Sequence, residues 1–110
     1  MPLFERARIE IYLPDLPTPA YQELLERLER ELTYTFGGCT LASGLSGSYQ
    51  SHLGLPIQDR INLLYADAHF AFSQEFDRLS RYADILRDRI NAALDEEAIL
   101  IVALPVHHSV

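Results

Sequence analysis

Two stretches of helical period, each standing between runs that read as strands, leave few folds open to this chain. From Tyr21 the apolar residues fall at Leu24, Leu25, Leu28, Leu32 and Phe36. That three-to-four spacing draws one stripe along a helix and requires an apolar surface for it to face. The second stripe, Phe76, Leu79, Ala83, Leu86, Ile90 and Leu94, runs for nearly five turns. Ahead of the first helix, Ala7, Ile9, Ile11 and Leu13 alternate with Arg6, Arg8, Glu10 and Tyr12, which predicts a half-buried strand over 4–13.

The boundaries between these stretches are marked by residues with backbone preferences. Pro14, Pro17 and Pro19 interrupt strand pairing, and Thr18-Pro19 reads as an N-cap followed by proline at the first helical position. Gly37-Gly38 ends that helix, because glycine enters the left-handed region without a Cβ clash. The alternating small residues of 40–49 predict a second strand, flexible or bulged, and 60–70 a third, joined to it by a connection over Gln50–Asp59. Ser73 is the expected cap of the second helix, and the apolar run Ala98–Val106 the fourth strand. On the solvent face of the first helix, Glu23–Arg27 and Glu26–Arg30 form i,i+4 pairs worth roughly 0.2–0.5 kcal/mol each.

The order is β-α-β-β-α-β, which predicts an α+β, ferredoxin-like plait: a four-stranded antiparallel sheet with two helices on one face. At 110 residues and 48% hydrophobic content, residues 1–110 are expected to make one such domain with a single core. The third and fourth strands look apolar on both faces, with Leu63 and Leu64, and Ile101 and Val102, pointing in opposite senses. Helices cover only one face of such a sheet, so the other is expected to be buried by self-association, most simply in a twofold dimer. The competing expectation is that Val106–Val110 folds back over it.

Composition excludes several chemistries. All nine basic residues are arginine, and without lysine there is no Schiff-base nucleophile and no phosphate-loop lysine. A net charge of −7 opposes nucleic-acid binding. Cys39 is the single cysteine, so the chain holds no internal disulfide and no multi-cysteine metal site, and the cytoplasm is the expected location. No apolar run is long enough to span a bilayer, and the N-terminus carries Glu5, Arg6 and Arg8 where a signal sequence needs an apolar core.

No catalytic constellation emerges. Gly44-Leu45-Ser46-Gly47-Ser48 misses the nucleophile elbow at its last position and does not feed a helix. Of the four histidines, His107 and His108 are neighbours and point to opposite faces of a strand, whereas Asp67 and His69 share one. Neither pair has a third partner at a recognised ligand spacing, so no metal or other cofactor is expected, and Cys39 reads as a small buried residue. A small-molecule pocket is conceivable where helix and sheet diverge, lined by Thr40, Ser43, Tyr49, Tyr65 and His69, with Tyr12 and Arg60 near them. The same composition also suits an ordinary strand surface.

The segment Phe36-Gly-Gly-Cys-Thr40 to Gly47-Ser-Tyr49, followed by Gly54 and Asp59, resembles a pattern found in small bacterial ferredoxin-like proteins. In those, Gly-Gly-x-Thr precedes a strand ending in Gly-x-Trp or Gly-x-Tyr. The resemblance implies the fold and carries over no catalytic residue. By analogy of fold alone, the chain is also similar to the trimeric PII-like and CutA-like sensors, which keeps a metal-responsive role as an alternative. Its lack of lysine and its short hairpin loop depart from the nucleotide-binding members. The dimeric α/β-barrel monooxygenases, which pair their sheets face to face, offer a further analogy and would need an enclosed apolar cavity near Tyr65 and His69. The preferred expectation is a self-associating protein with a binding or regulatory role.

Overall fold

The computed structural model describes residues 3–94 and 99–109. Strand β1 (Leu3–Pro14) is followed by helix α1 (Pro19–Phe36), strands β2 (Thr40–Gln50) and β3 (Pro56–Asp67), helix α2 (Phe76–Ala93) and strand β4 (Leu100–Ser109). All strand pairs are antiparallel, in the order β2-β3-β1-β4. The ferredoxin-like plait expected from the periodicities is the fold observed.

Central strand β1 distributes the chain between two faces. Its odd residues Ala7, Ile9, Ile11 and Leu13 are at most 1% exposed and lie beneath the helices. In register with them, Leu64 and Ala66 of β3 and Ile101 and Ala103 of β4 complete the helix-facing layer. Tyr21, Leu24, Leu25, Leu28, Leu32 and Phe36 of α1 and Leu79, Leu86 and Ile90 of α2 close the core from above. The two predicted stripes are thus the buried ones, except that Phe76 at the start of α2 is 52% exposed.

Local chemistry explains where elements begin and end. Thr18 Oγ1 accepts from the Tyr21 backbone N–H, and Pro19 follows at the start of α1. Gly37, at φ 87°, donates its N–H to the Thr33 carbonyl, the left-handed stop anticipated from sequence.

Four boundaries depart from expectation. The hairpin connection is only 51–55, because Pro56 to Asp59, assigned to a connection, pair with β2 and bring the start of β3 forward. At its other end β3 stops at Asp67 rather than 70. Ser73 does not cap α2: its hydroxyl donates to Glu5 Oε2 at 2.7 Å, and the helix starts after Glu75 with no side-chain cap. Val106 to Ser109 do not fold over the sheet but extend β4 along β1, with His108 opposite Phe4. The predicted start of β4 at Ala98 lies outside the described residues.

The β2–β3 hairpin projects beyond the helices as an arm, which accounts for principal extents of 46 × 27 × 25 Å and a radius of gyration of 14.9 Å. A compact chain of this length has a radius of about 13 Å. Within the arm Gly47 has a steric role, since a Cβ there would collide with Ile61 Cδ1. Gly44, at φ 74°, sits in the register shift between Ala42 and Leu45, the bulge expected from the run of small residues.

One polar side chain among the described residues, that of Asn62, is buried in the core region. Its Nδ2 donates to the Tyr21 hydroxyl at 2.9 Å and to Asp15 Oδ1 at 3.3 Å. Burial raises the Tyr21 pKa, and the Asn62 hydrogen bond opposes that rise. Removing the phenol oxygen would leave a buried amide with its longer bond alone, which costs about 1–3 kcal/mol. Tyr21→Phe is therefore expected to lower unfolding free energy in urea by that amount, while Tyr34→Phe, at a side chain 91% exposed, leaves it unchanged.

Candidate functional site

The sheet face away from the helices carries the even residues of β1 and everything in register with them. Rows run across it as Thr40–Tyr65–Glu10–Val102 and Ala42–Leu63–Tyr12–Leu100, with Asp67–Arg8–Leu104 beside them. The face expected to be broadly apolar is instead divided. Leu100, Val102, Leu104 and Val106 of β4 form one apolar flank, and Leu45, Ile57, Ile61 and Leu63 of the hairpin form the other. Between them runs a polar spine from β1.

Most of the spine's polar groups are partnered within the chain: Arg8 by Asp67 and Glu10 by Tyr12, while Arg6 donates to the Glu5 backbone carbonyl and lies over the Phe4 ring. Arg8 Nε and Nη2 donate to the two oxygens of Asp67 at 2.6 and 3.0 Å, a two-point grip suited to a planar guanidinium. The guanidinium also lies 4.6 Å from the Tyr65 ring centroid. His108 reaches across β1 to place Nε2 2.8 Å from Asp67 Oδ2. One carboxylate thus ties three strands together. The Arg8 hydrogen bonds, opposed by partial burial and aided by His108, hold the Asp67 carboxyl below its ordinary range, and the same bonds raise the Arg8 pKa. One row away, Tyr12 donates its hydroxyl to Glu10 at 2.9 Å, which raises the phenol pKa.

The residues marked from sequence as pocket candidates fall into separate places. Thr40, Tyr65 and His69 do come together with Cys39 and Asp67, around an open groove of about 420 Å³ at the end of α1. His69 packs toward Gly37, where a Cβ would stand 3.3 Å from its Nε2. Ser43, Tyr49 and Arg60 do not join them, because the hairpin carries them outward at about 3.3 Å per residue. Arg60 instead borders an open groove of about 500 Å³ on the arm, with Ser46, Ser48, Gln58 and Asp59. Tyr12 lies on the open sheet face between Leu63 and Leu100.

Chemistry at these grooves is limited by the groups present. Burial, with the nearby Glu29 carboxylate, raises the Cys39 thiol pKa and disfavours the nucleophilic thiolate. Asp67 is committed to Arg8 and His108, so it does not form with His69 the ligand pair that their spacing suggested. Among the described residues, no three of His, Cys, Asp and Glu are grouped to hold a metal ion. No helix of the described residues is long and apolar enough to cross a membrane. The Arg8–Asp67–His108 cluster, which sequence reasoning missed, depends on the register of three strands. Its only sequence signal is a pair of opposite charges, Arg8 within the first expected strand and Asp67 within the third, of which Asp67 proves to be the last residue of β3.

The depressed Asp67 pKa gives the cluster a definite pH dependence. Its folded value is below the unfolded value of about 3.9, so its contribution is present above that value and is lost as pH falls through the folded pKa. Asp67→Asn is expected to be less stable than the parent from about pH 5 to 7, with the gap in urea-unfolding free energy closing as the pH falls below about 4. A gap that persists unchanged at the acid end would show that the ion pair is not its source.

No family profile matches the chain, and no curated protein matches it. Solved structures do. A divalent cation tolerance protein, Cut A1, from Thermus thermophilus superposes with a TM-score of 0.54 at 20% identity, over 94% of this chain and 84% of its own. CutA1 from Oryza sativa gives 0.57 at 16% identity, over 94% and 82%. CutA from Xylella fastidiosa gives 0.56 at 16% identity, over 92% and 83%. At these identities the likeness establishes a shared ferredoxin-like α+β fold over nearly the whole chain.

Proposed function

We propose that this chain is a self-associating binding or regulatory protein of the CutA-like kind, whose copies assemble through the open sheet face. The observation that carries this reading is the organisation of that face: two apolar flanks around a spine in which Arg8, Asp67 and His108 are paired within the chain and Glu10 is hydrogen-bonded to Tyr12. Burying a charged group is costly chiefly when it loses its partners. Here Arg8, Asp67 and His108 keep theirs within one chain, and Glu10 keeps Tyr12.

Charge distribution supports a second copy as the occupant. The chain as a whole carries −7, which makes copies repel. The central and hairpin strands place Arg6 and Arg8 against Glu10, Asp59 and Asp67 on this face, so it is close to neutral. Copies therefore meet least repulsion where the apolar flanks lie. The β2 edge adds to this, since it is an outer strand of 11 residues with neither lysine nor proline to blunt it.

The likeness to structures named for divalent cation tolerance supports a connection with cation response. With no three-donor group among the described residues of one chain, that connection is assigned to the assembled protein rather than to a site inside a single copy.

Light scattering coupled to size-exclusion chromatography is expected to give a multiple of the 12.5 kDa chain mass. Leu100→Glu, which places a carboxylate on the β4 flank opposite Tyr12, whose hydroxyl is already given to Glu10, is expected to shift the population to monomer by roughly tenfold or more in dissociation constant while retaining the circular dichroism of the parent. A clean monomer for the parent at tens of micromolar would overturn the reading.

A further inference from the structure

The helix layer holds a groove that the proposed assembly leaves open to solvent. It lies between the last turn of α1 and the first three turns of α2, with a volume of about 330 Å³, at the lower end of the range for small-molecule pockets. Phe36, Phe70, Tyr82 and Ile85 form its walls over Leu79, and Arg78 and Arg81 stand at its rim. Arg78, Arg81, Tyr82 and Ile85 recur at i, i+3, i+4 and i+7, one stripe of α2 beside the stripe that enters the core.

The walls are aromatic and the arginines are available. Phe36 and Tyr82 meet edge to face at 5.5 Å between centroids, which sets the Tyr82 ring, and its hydroxyl is taken up by Glu31 at 3.1 Å. Ile85 is 48% exposed, so about half of this apolar residue is left uncovered by the described chain. The Arg78 guanidinium lies 5.6 Å from the Phe70 ring centroid. Neither Arg78 nor Arg81 has a carboxylate within ion-pair distance among the described residues, whereas Arg8 and Arg89 both do. Among the described residues Arg60 and Arg87 likewise lack an ion pair, so what sets Arg78 and Arg81 apart is their place, three residues apart on one helix stripe beside an apolar groove.

From this we propose that the groove binds a small aromatic carboxylate, its ring between Phe36, Phe70 and Ile85 and its carboxylate on Arg78 and Arg81. A planar guanidinium matches a carboxylate in two-point geometry. A monoanion suits the site better than a phosphate ester: the groove is mostly apolar, and the acidic chain repels multiply charged ligands more strongly. The helix dipoles do not decide the matter, because the positive end of α2 and the negative end of α1 border the same space. The arginines do. This site is independent of the sheet face, so it stands or falls separately from the assembly reading.

The test is a ¹H–¹⁵N NMR titration of the full chain with 2-naphthoate, repeated with the neutral 2-naphthamide. Shifts confined to Phe36, Phe70, Arg78, Tyr82 and Ile85 are expected, with the amide binding at least tenfold more weakly. The R78Q/R81Q variant, whose own spectrum reports that it is folded, is expected to lose tenfold or more in affinity for naphthoate, and Ile85→Glu to abolish saturable binding. No localised shifts up to the solubility limit, equal binding of the amide, or undiminished binding by folded R78Q/R81Q would each overturn the proposal.

Discussion

Everything in this molecule is arranged around β1, a strand hydrogen-bonded on both sides. Its side chains alternate with period 2, so each change of residue type along it selects a face of the whole sheet. Ala7, Ile9, Ile11 and Leu13 fix the helix-facing layer, and a slip of one residue against β3 would put Arg8 and Glu10 beneath the helices. The same alternation puts Arg6, Arg8 and Glu10 on the uncovered face. Core and open face are thus one decision, written in one strand.

That coupling explains how far the sequence can be read. The order of elements is legible because each period is local: a stripe of leucines or an alternating run declares itself within a dozen residues. The start of β3 is obscured by Gly54 and Pro56, which signal a turn, and by the three polar residues Gln58, Asp59 and Arg60, which break the alternation between Ile57 and Ile61. Ser73 has the spacing of a cap, but Glu5, far away in the chain, offers its hydroxyl a carboxylate at 2.7 Å. Long-range partners of this kind outcompete local propensity and leave no local trace.

Site residues divide along the same line. Thr40, Tyr65 and His69 can be grouped from sequence because the start of β2 and the end of β3 must lie side by side in a hairpin. Ser43, Tyr49 and Arg60 join that group only by residue type, and the length of the arm separates them. The Arg8–Asp67–His108 cluster needs β4 to run on to Ser109 beside β1, where the apolar pattern has already ended at Val106. The groove at Arg78 and Tyr82 needs the relative placement of two helices, which no single stripe encodes.

The two surfaces that remain after folding differ in a way that matters for function. At the centre of the sheet face Arg8, Asp67 and His108 satisfy one another, so what the face chiefly contributes to binding is apolar area and shape, the terms that favour another large, flat protein surface. At the groove the apolar walls are small and the cations are unpaired, so the unsatisfied term is charge over a short distance, which favours a small anion. The faces are separated by the core itself. A ligand at the groove would therefore influence assembly only through the packing of α1 and α2 on the sheet. Among the described residues, polar and ring contacts join the helices beside their shared core: Tyr82 and Arg89 of α2 meet Glu31 of α1, and Tyr82 meets Phe36 at the end of that helix. Because Tyr82 both lines the groove and makes these contacts, a ring bound against it would bear directly on the link between the helices. It is there, rather than at the hairpin arm, that any communication between small molecule and assembly has a physical route.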